Sequence, residues 1–326
     1  MPTEKIKLLC SHVSHLPLLY TLQHSGVTQE EGFELELDIV NTKQEDRPIR
    51  KMADRARCLL DGTYHFLSGL HHETYVYRAR GDKRFLYLAQ TQNAWDDRLI
   101  TRADIKCLKQ LEGKKVLTAR VPCVCGNLQA ALRQAGVDTA QVEFVFSLLE
   151  GSKYPSHILI DMIAEGKADA ANVDIPFDLQ ATKQGLNVLA LPEIPIIHNT
   201  TICASTDFVR AHEETTVAFL KALIRAIHFF KSQKSKVCEI LSCHLAPLIH
   251  LRGDDEIEYL QEQWSQLLCA KPYPHPLAVW NVYNLEVAHD PEVNSVSPLE
   301  IWDTHYLREI DDSGFIDSLY GQKIGA

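Results

Sequence analysis

Leu111-Glu-Gly-Lys-Lys-Val-Leu-Thr-Ala119, Cys123-Val-Cys-Gly-Asn127 and Ile163-Ala-Glu-Gly-Lys-Ala-Asp-Ala-Ala-Asn-Val-Asp174-Ile-Pro176 decide the fold class of this chain. The first reads as a strand entered from a glycine turn. The second is a tight turn that opens an amphipathic helix. The third ends a helix at Gly166, passes through an apolar strand and delivers Asp174 just beyond it. A short Val188-Leu-Ala-Leu191 strand closes the block. Helix N-termini and strand ends aimed at one crevice make a binding site for a small, usually anionic molecule. Thiols and imidazoles, rather than serines, stand at this crevice.

Upstream, Lys5-Ile-Lys-Leu-Leu-Cys10 reads as a buried first strand and Leu16 to His24 as a helix, with Pro17 tolerated in its first turn. Phe33-Glu-Leu-Glu-Leu-Asp-Ile-Val40 alternates as a strand, Arg50 to Leu60 is helical, and Tyr64-His-Phe-Leu67 is the next strand. This βαβαβ order implies parallel strands with right-handed crossovers. Phe85 to Gln90 and Arg98 to Thr101 are further strands, and Thr201-Ile-Cys-Ala204 returns the chain to the first sheet. Long helices are expected over Glu213 to Gln233, Asp254 to Leu268 and Pro298 to Ser313, with a shorter one over Phe315 to Tyr320. The fold class is α/β with two lobes and a helical C-terminal extension. Residues 1–98 and 199–326 form lobe one and residues 99–198 lobe two.

Length and composition set bounds. The 326 residues accommodate two lobes of ordinary domain size. A formal charge of -10 argues against nucleic acid as a partner, because phosphate contacts need clustered Lys and Arg. No stretch reaches the ~18 consecutive apolar residues of a membrane span. The start Met1-Pro-Thr-Glu-Lys-Ile-Lys-Leu-Leu-Cys10 lacks a secretory apolar segment, and nine scattered cysteines do not make a disulfide framework. A cytoplasmic location is expected. Homodimer and monomer are both compatible with the sequence. No phosphate-binding loop, dinucleotide fingerprint or nucleophile-elbow motif occurs.

Five groups are candidates for chemistry. Cys10-Ser-His12-Val-Ser-His15 leaves the first strand toward the crevice. Two imidazoles three apart can bind a metal, polarise a carboxylate or move a proton; equally, one caps the next helix while the other is solvated. His65 precedes a crevice loop and is a candidate proton donor or a half-buried structural imidazole; His71 and His72 open the following helix. Cys123 and Cys125, with Gly126 and Asn127, lie where backbone N–H groups point at a ligand and a thiol becomes more reactive, unless both sulfurs are merely small buried groups. Strand-like alternation turns only one of the two toward the crevice. Asp174 suits a substrate amine or hydroxyl, and His198 with Asn199 stands at the crossover both lobes can reach.

The first strand, Leu60-Asp-Gly-Thr-Tyr-His-Phe66, Leu111-Glu-Gly-Lys-Lys-Val116, Gly166 to Pro176 and the Phe208 to Phe230 helix resemble the SsuA/THI5-like family over roughly residues 5–235. That resemblance implies a type II periplasmic-binding-protein fold. Most such proteins are receptors of importers for sulfonates, nitrate, taurine or pyrimidine precursors. Some members are cytoplasmic enzymes, including a sulfinate desulfinase and dihydroxyphthalate decarboxylase-like proteins. Gly62-Thr-Tyr-His65-Phe66 is similar to the desulfinase segment that carries an active-site histidine. Its cysteine after the first strand corresponds best to Cys10 or His12, and the candidate for its arginine is Arg78. Ile196-Ile-His198-Asn-Thr-Thr201 is similar to a decarboxylase stretch with histidine and asparagine exchanged.

The expected function is therefore an enzyme that removes CO2 or a sulfur oxyacid from a small anionic, possibly aromatic substrate. His65 would give the proton, His12 or Cys10 would assist, and the turn at Cys123–Asn127, Asp174, His198 and Asn199 would bind. No organic cofactor is expected. The alternatives are a non-catalytic receptor or anion sensor, and a metal-dependent enzyme in which His12 and His15 are the metal candidates.

Overall fold

The computed structural model describes residues 4–40, 52–120, 122–147 and 154–321. Ten strands occur among them: β1 (Glu4–Cys10), β2 (Phe33–Ile39), β3 (Phe66–Ser68), β4 (Phe85–Ala94), β5 (Arg98–Thr101), β6 (Lys115–Thr118), β7 (Glu143–Phe146), β8 (Ala170–Val173), β9 (Asn187–Leu189) and β10 (Pro195–Ser205). They form two five-stranded sheets, ordered β2-β1-β3-β10-β4 and β7-β6-β8-β5-β9. In the first, β1 pairs in parallel with β2 and β3, and β10 runs antiparallel between β3 and β4. In the second, β6 is parallel to β7 and β8, while β5 runs antiparallel to β8 and β9. The chain is thus the expected two-lobed α/β structure.

Register explains where a site can form. Cys10 pairs with Ile39 and Ser68, so the C-terminal ends of β1, β2 and β3 finish level with one another. The loops that leave them open toward the second sheet, the usual ligand edge of a parallel sheet. Behind the first sheet, the helix Leu16–His24 buries Leu18, Leu19 and Leu22 against Leu220, Leu223 and Ile227 of the helix Glu213–Ser232. Each such side chain contributes about 1.5–3 kcal/mol on leaving water, so this face holds the crevice loops on a rigid support.

Several expected elements shift. The helix expected from Arg50 is seen from Met52 to Leu60; Arg50 and Lys51 lie outside the described residues. The helix expected over Pro298–Ser313 is confined to His305–Asp312. Before it, Tyr87 N donates to Ile301 O at 2.7 Å and Asp303 N to Tyr87 O at 2.8 Å, so this stretch pairs with the edge of β4 instead. Covering an open sheet edge outweighs a turn of helix there. A helix at Pro276–His289 was not expected. Its Leu277, Ala278, Val279, Trp280, Val282, Tyr283, Leu285 and Val287 ring the axis without a polar stripe, so no helical period stands out. It packs on β10 through a core that runs on into lobe two at Leu128 and Leu132, which makes it a strap across both halves.

Candidate active site

The crevice wall is built from chain ends brought together by the two sheets. Past β3, Gly69 takes φ +133 and Leu70 φ 57, turning the chain so that His71 and His72 face inward. Only glycine fits at 69, because a Cβ there would collide with the Ser11 side chain. From β1 the short helical turn Val13–His15 brings His15 in. Trp95-Asp96-Asp97 links β4 to β5 at the hinge, and β10 carries His198 and Asn199, the latter in left-handed backbone at φ 54. From lobe two comes the wide π-type turn Pro122–Gly126 with Cys123.

Four imidazoles meet in this wall. His15 Nδ1 lies 2.7 Å from Ser68 Oγ, and its ring centre is 5.6 Å from that of His71, which is 6.5 Å from His72. His72 sits between the Cys123 thiol and the Glu286 carboxylate; Nδ1 is 3.1 Å from Glu286 Oε2, though neither ring nitrogen has its hydrogen well aligned. His198 Nδ1 lies 2.8 Å from Asp96 Oδ1 and feels the charge of Cys123 as well.

So many rings cannot all be charged at close range, and the carboxylates decide which are. Burial opposes the proton on His72, but the hydrogen bonds to Cys123 and Glu286 and their charges overcome it, raising the imidazole to about 10. Burial likewise opposes His198, and Asp96 with Asp97 reverses it, so this group also moves up. Among the described residues, no carboxylate pairs with His15 or His71. Burial, then neighbouring imidazoles, hold both well below the usual range. Two imidazoles of the wall are thus moved up and two moved down. Arg55 adds a guanidinium whose charge acts on His15 and Cys10.

Carboxylates adjoin His198. Asp96 accepts from Asn199 Nδ2 at 3.2 Å on both oxygens, Asp97 accepts from Asn172 Nδ2 at 2.5 Å, and Asp174 accepts from Ser156 Oγ at 2.8 Å. These carboxylates border a cavity closed down to about 30 Å³, with Val13, Pro17, Phe177 and Trp264 as apolar lining. That is room for about one water. The lobes are clasped shut: Tyr259 OH donates to Asp178 at 2.7 Å, Gln180 Nε2 to Glu256 at 2.8 Å, and Arg98 Nη2 to Gln263 at 3.0 Å.

The expected residues divide. Cys123 and His198 converge in the wall, and Asn199 braces Asp96 and Gln92. Asp174 borders the cavity. His65 stands elsewhere. It pairs alongside Lys7, three residues short of the strand end, accepts from Lys7 N at 3.2 Å and stacks on Phe208 at 5.0 Å. The proton-donor expectation at His65 is therefore corrected: its parallel strand carries it to the far end of the sheet. Cys10 is corrected too. It is buried in the lobe-one core, donates to His12 O at 3.0 Å, and burial pushes its thiol up to about 12, so it stays protonated. His12 caps the turn, accepting from Ser14 N at 3.2 Å, which is the helix-capping alternative. Cys125 faces inward and accepts from Gln129 Nε2 at 3.2 Å; Gly126 packs under Leu285; Asn127 is buried with neither amide atom partnered. Arg78 points to Phe85 O and Glu300, away from the wall.

Among the described residues, the group whose donor atoms come close enough for a metal is Asp96, Asp97 and His198, within 4.8 Å of one another; His12 and His15 are not in it. Its carboxylates already accept from Asn199 and Asn172, and Asp96 lies against His198, so the donor set is largely engaged. Sequence reasoning missed Glu286, which lies on the strap helix, and Asp96 and Asp97, for which Asp-Asp at the end of a long strand was the available signal.

Two α/β lobes on a crossover hinge, with a ligand crevice between the sheets, define a type II periplasmic-binding-protein fold. The chain belongs to the NMT1/THI5-like family, whose model matches residues 28–235. It is similar in structure to the putative periplasmic sulfonate-binding protein SsuA of Methylobacillus flagellatus KT, with TM-score 0.67, 14% identity and coverage of 99% of this chain and 98% of that one. It is similar also to the desulfurization enzyme DSZB, with TM-score 0.68, 14% identity and coverage of 94% and 99%. A Candida albicans protein described as having the generic periplasmic binding protein fold matches with TM-score 0.61, 14% identity and coverage of 93% and 97%. At these identities the likeness is one of fold. No curated protein matches the chain in sequence.

Proposed function

We propose that this protein is an enzyme that binds a small organic acid between its lobes and releases CO2 or a sulfur oxyacid from it, with His198 as the proton donor. The observation that carries this reading is His198 itself, 2.8 Å from the Asp96 carboxylate that favours its protonated form, in a wall that also contains a thiol. Cleavage of a carbon–carboxylate or carbon–sulfur bond leaves an electron pair on carbon, and an imidazolium placed there supplies the proton where charge develops. With Nδ1 given to Asp96, Nε2 is the nitrogen left for the substrate.

The wall orients that substrate. Its anionic end belongs beside Arg55 and His72; near Asp96, Asp97 and Asp174 an anion is repelled, and a hydroxyl or amine is favoured. The apolar lining suits a flat or conjugated body. Exclusion of water by the clasped lobes strengthens each of these interactions. The nine unpaired cysteines support a reducing compartment, and we place the protein in the cytoplasm. No described helix is long and apolar enough to cross a membrane.

A second reading, a non-catalytic receptor, draws on the SsuA-like neighbours, described as sulfonate-binding. Incubation with a panel of aromatic and unsaturated carboxylates, sulfinates and sulfonates separates the two. The enzyme reading predicts CO2 or sulfite release that His198→Gln abolishes. Tight calorimetric binding without turnover contradicts it and leaves the receptor.

A further inference from the structure

We infer that Cys123, His72 and Glu286 form a nucleophile, base and orienting carboxylate, and that Cys123 attacks the substrate carbon next to the one that loses its anionic group. The inference rests on the reading above for its substrate, but its geometry is independent of it. Three segments far apart in sequence supply the parts. Cys123 comes from the lobe-two turn, His72 from the loop after β3, and Glu286 from the strap helix. The thiol is half-buried at the wall, whereas His72 and Glu286 are 6% and 3% exposed.

A purely structural ion pair does not need a thiol on the other side of its imidazole. Glu286 approaches Nδ1, which leaves Nε2 to hold the proton taken from the thiol, so that imidazolium and thiolate pair before a substrate arrives, the order of parts in nucleophilic sites generally. The thiol also lies close enough to His198 for their charges to interact, so nucleophile and proton donor serve one position in the crevice. Loose alignment at the imidazole is ordinary for such a site before a substrate tightens it.

The step balances without an outside oxidant or reductant. The Cys123 sulfur, its proton already held by His72, bonds to one carbon of a conjugated C=C. The displaced electron pair takes a proton from His198 at the neighbouring carbon that bears the carboxylate. The C–CO2⁻ bond then breaks, its electrons form C=C with the neighbouring carbon, and the thiolate is expelled to pair again with the His72 imidazolium. The sum is one acid and one proton giving one CO2 and one product with hydrogen in place of the carboxylate. The substrate class is thus an α,β-unsaturated or electron-poor heteroaromatic acid.

Brief iodoacetamide labelling of the full chain at pH 7, with each cysteine quantified by peptide mass spectrometry, tests the relay without a substrate. Cys107 and Cys243 are exposed thiols in the same molecule and set the reference rate. Cys123 is expected to label about 10-fold faster than either despite its lower exposure, and Glu286→Gln to remove most of that advantage. Labelling of wild-type Cys123 no faster than Cys107, or equal labelling in Glu286→Gln, overturns the relay. Turnover of the acid panel by wild type and Cys123→Ala completes the test. Fast labelling with no acid consumed keeps the relay and removes the proposed reaction. Turnover retained in Cys123→Ala keeps the reaction and overturns the nucleophile.

Discussion

Removing the carboxylate behind His72 should be among the most costly single changes in this protein. His72 and Glu286 are almost wholly buried and 3.1 Å apart. Two unit charges about 4 Å apart attract by about 4 kcal/mol at an effective dielectric near 20, and truncating one member of a buried pair costs about 3–5 kcal/mol because the other is left uncompensated. Glu286→Ala should therefore destabilise by about 3–5 kcal/mol in urea unfolding, read with the slope unchanged. Glu286→Gln, His72→Gln and the double variant form a cycle whose coupling is expected to exceed about 2 kcal/mol. The pH dependence has a definite sign. His72 is raised in the folded state to about 10, so its stabilisation is fully present below its unfolded value of about 6.5 and is lost as pH rises through the folded one. Coupling should be larger at pH 6 than at pH 9. A coupling below about 0.5 kcal/mol at pH 6, as for an exposed pair, or no change between the two pH values, would refute a carboxylate-locked imidazolium.

Gly69→Ala should cost roughly 2–4 kcal/mol, from strained backbone and the collision with Ser11; Ser11→Gly on that background should restore part of it in the same unfolding assay. His15 and His71 are both lowered, so each adds stability above about pH 6.5 that is lost as pH falls toward its folded value. The melting temperature should drop between pH 7 and 5.5, and His15→Gln should flatten that drop. Tyr259→Phe removes the bond to Asp178 across the clasp, at a cost of about 1–3 kcal/mol for a charged acceptor. Hydrogen exchange in Phe177–Lys183 should then quicken, while β1 and β3 stay protected.

Much of the fold was legible because its signals are local. Alternation at Phe33–Ile39, glycine stops at Gly62 and Gly166, and the apolar stripe of the Glu213–Ser232 helix are each read within one turn or strand. The site was legible in part. Cys123 stands where a strand turns into a helix and His198 on the crossover both lobes reach, and those signals find them. The strand-end rule misplaced His65, because β3 is only three residues long and the histidine precedes it. One strand boundary moved a side chain from the ligand edge to the far edge. Glu286 was out of reach for another reason: apolar residues occur all round its helix, and only tertiary packing sets it opposite His72, 214 residues away in sequence.

The account depends on a wall in which two imidazoles are charged and two are not. Nitrogen-resolved NMR of histidine-labelled protein, titrated from pH 5.5 to 9 with assignments from single His→Gln variants, reads this directly. His72 should remain imidazolium at pH 8, His198 should titrate above the ordinary histidine midpoint, and His15 and His71 should still be neutral at pH 6. Four rings titrating together near pH 6.5 would contradict the division of charge on which both the proton donor and the thiol relay depend.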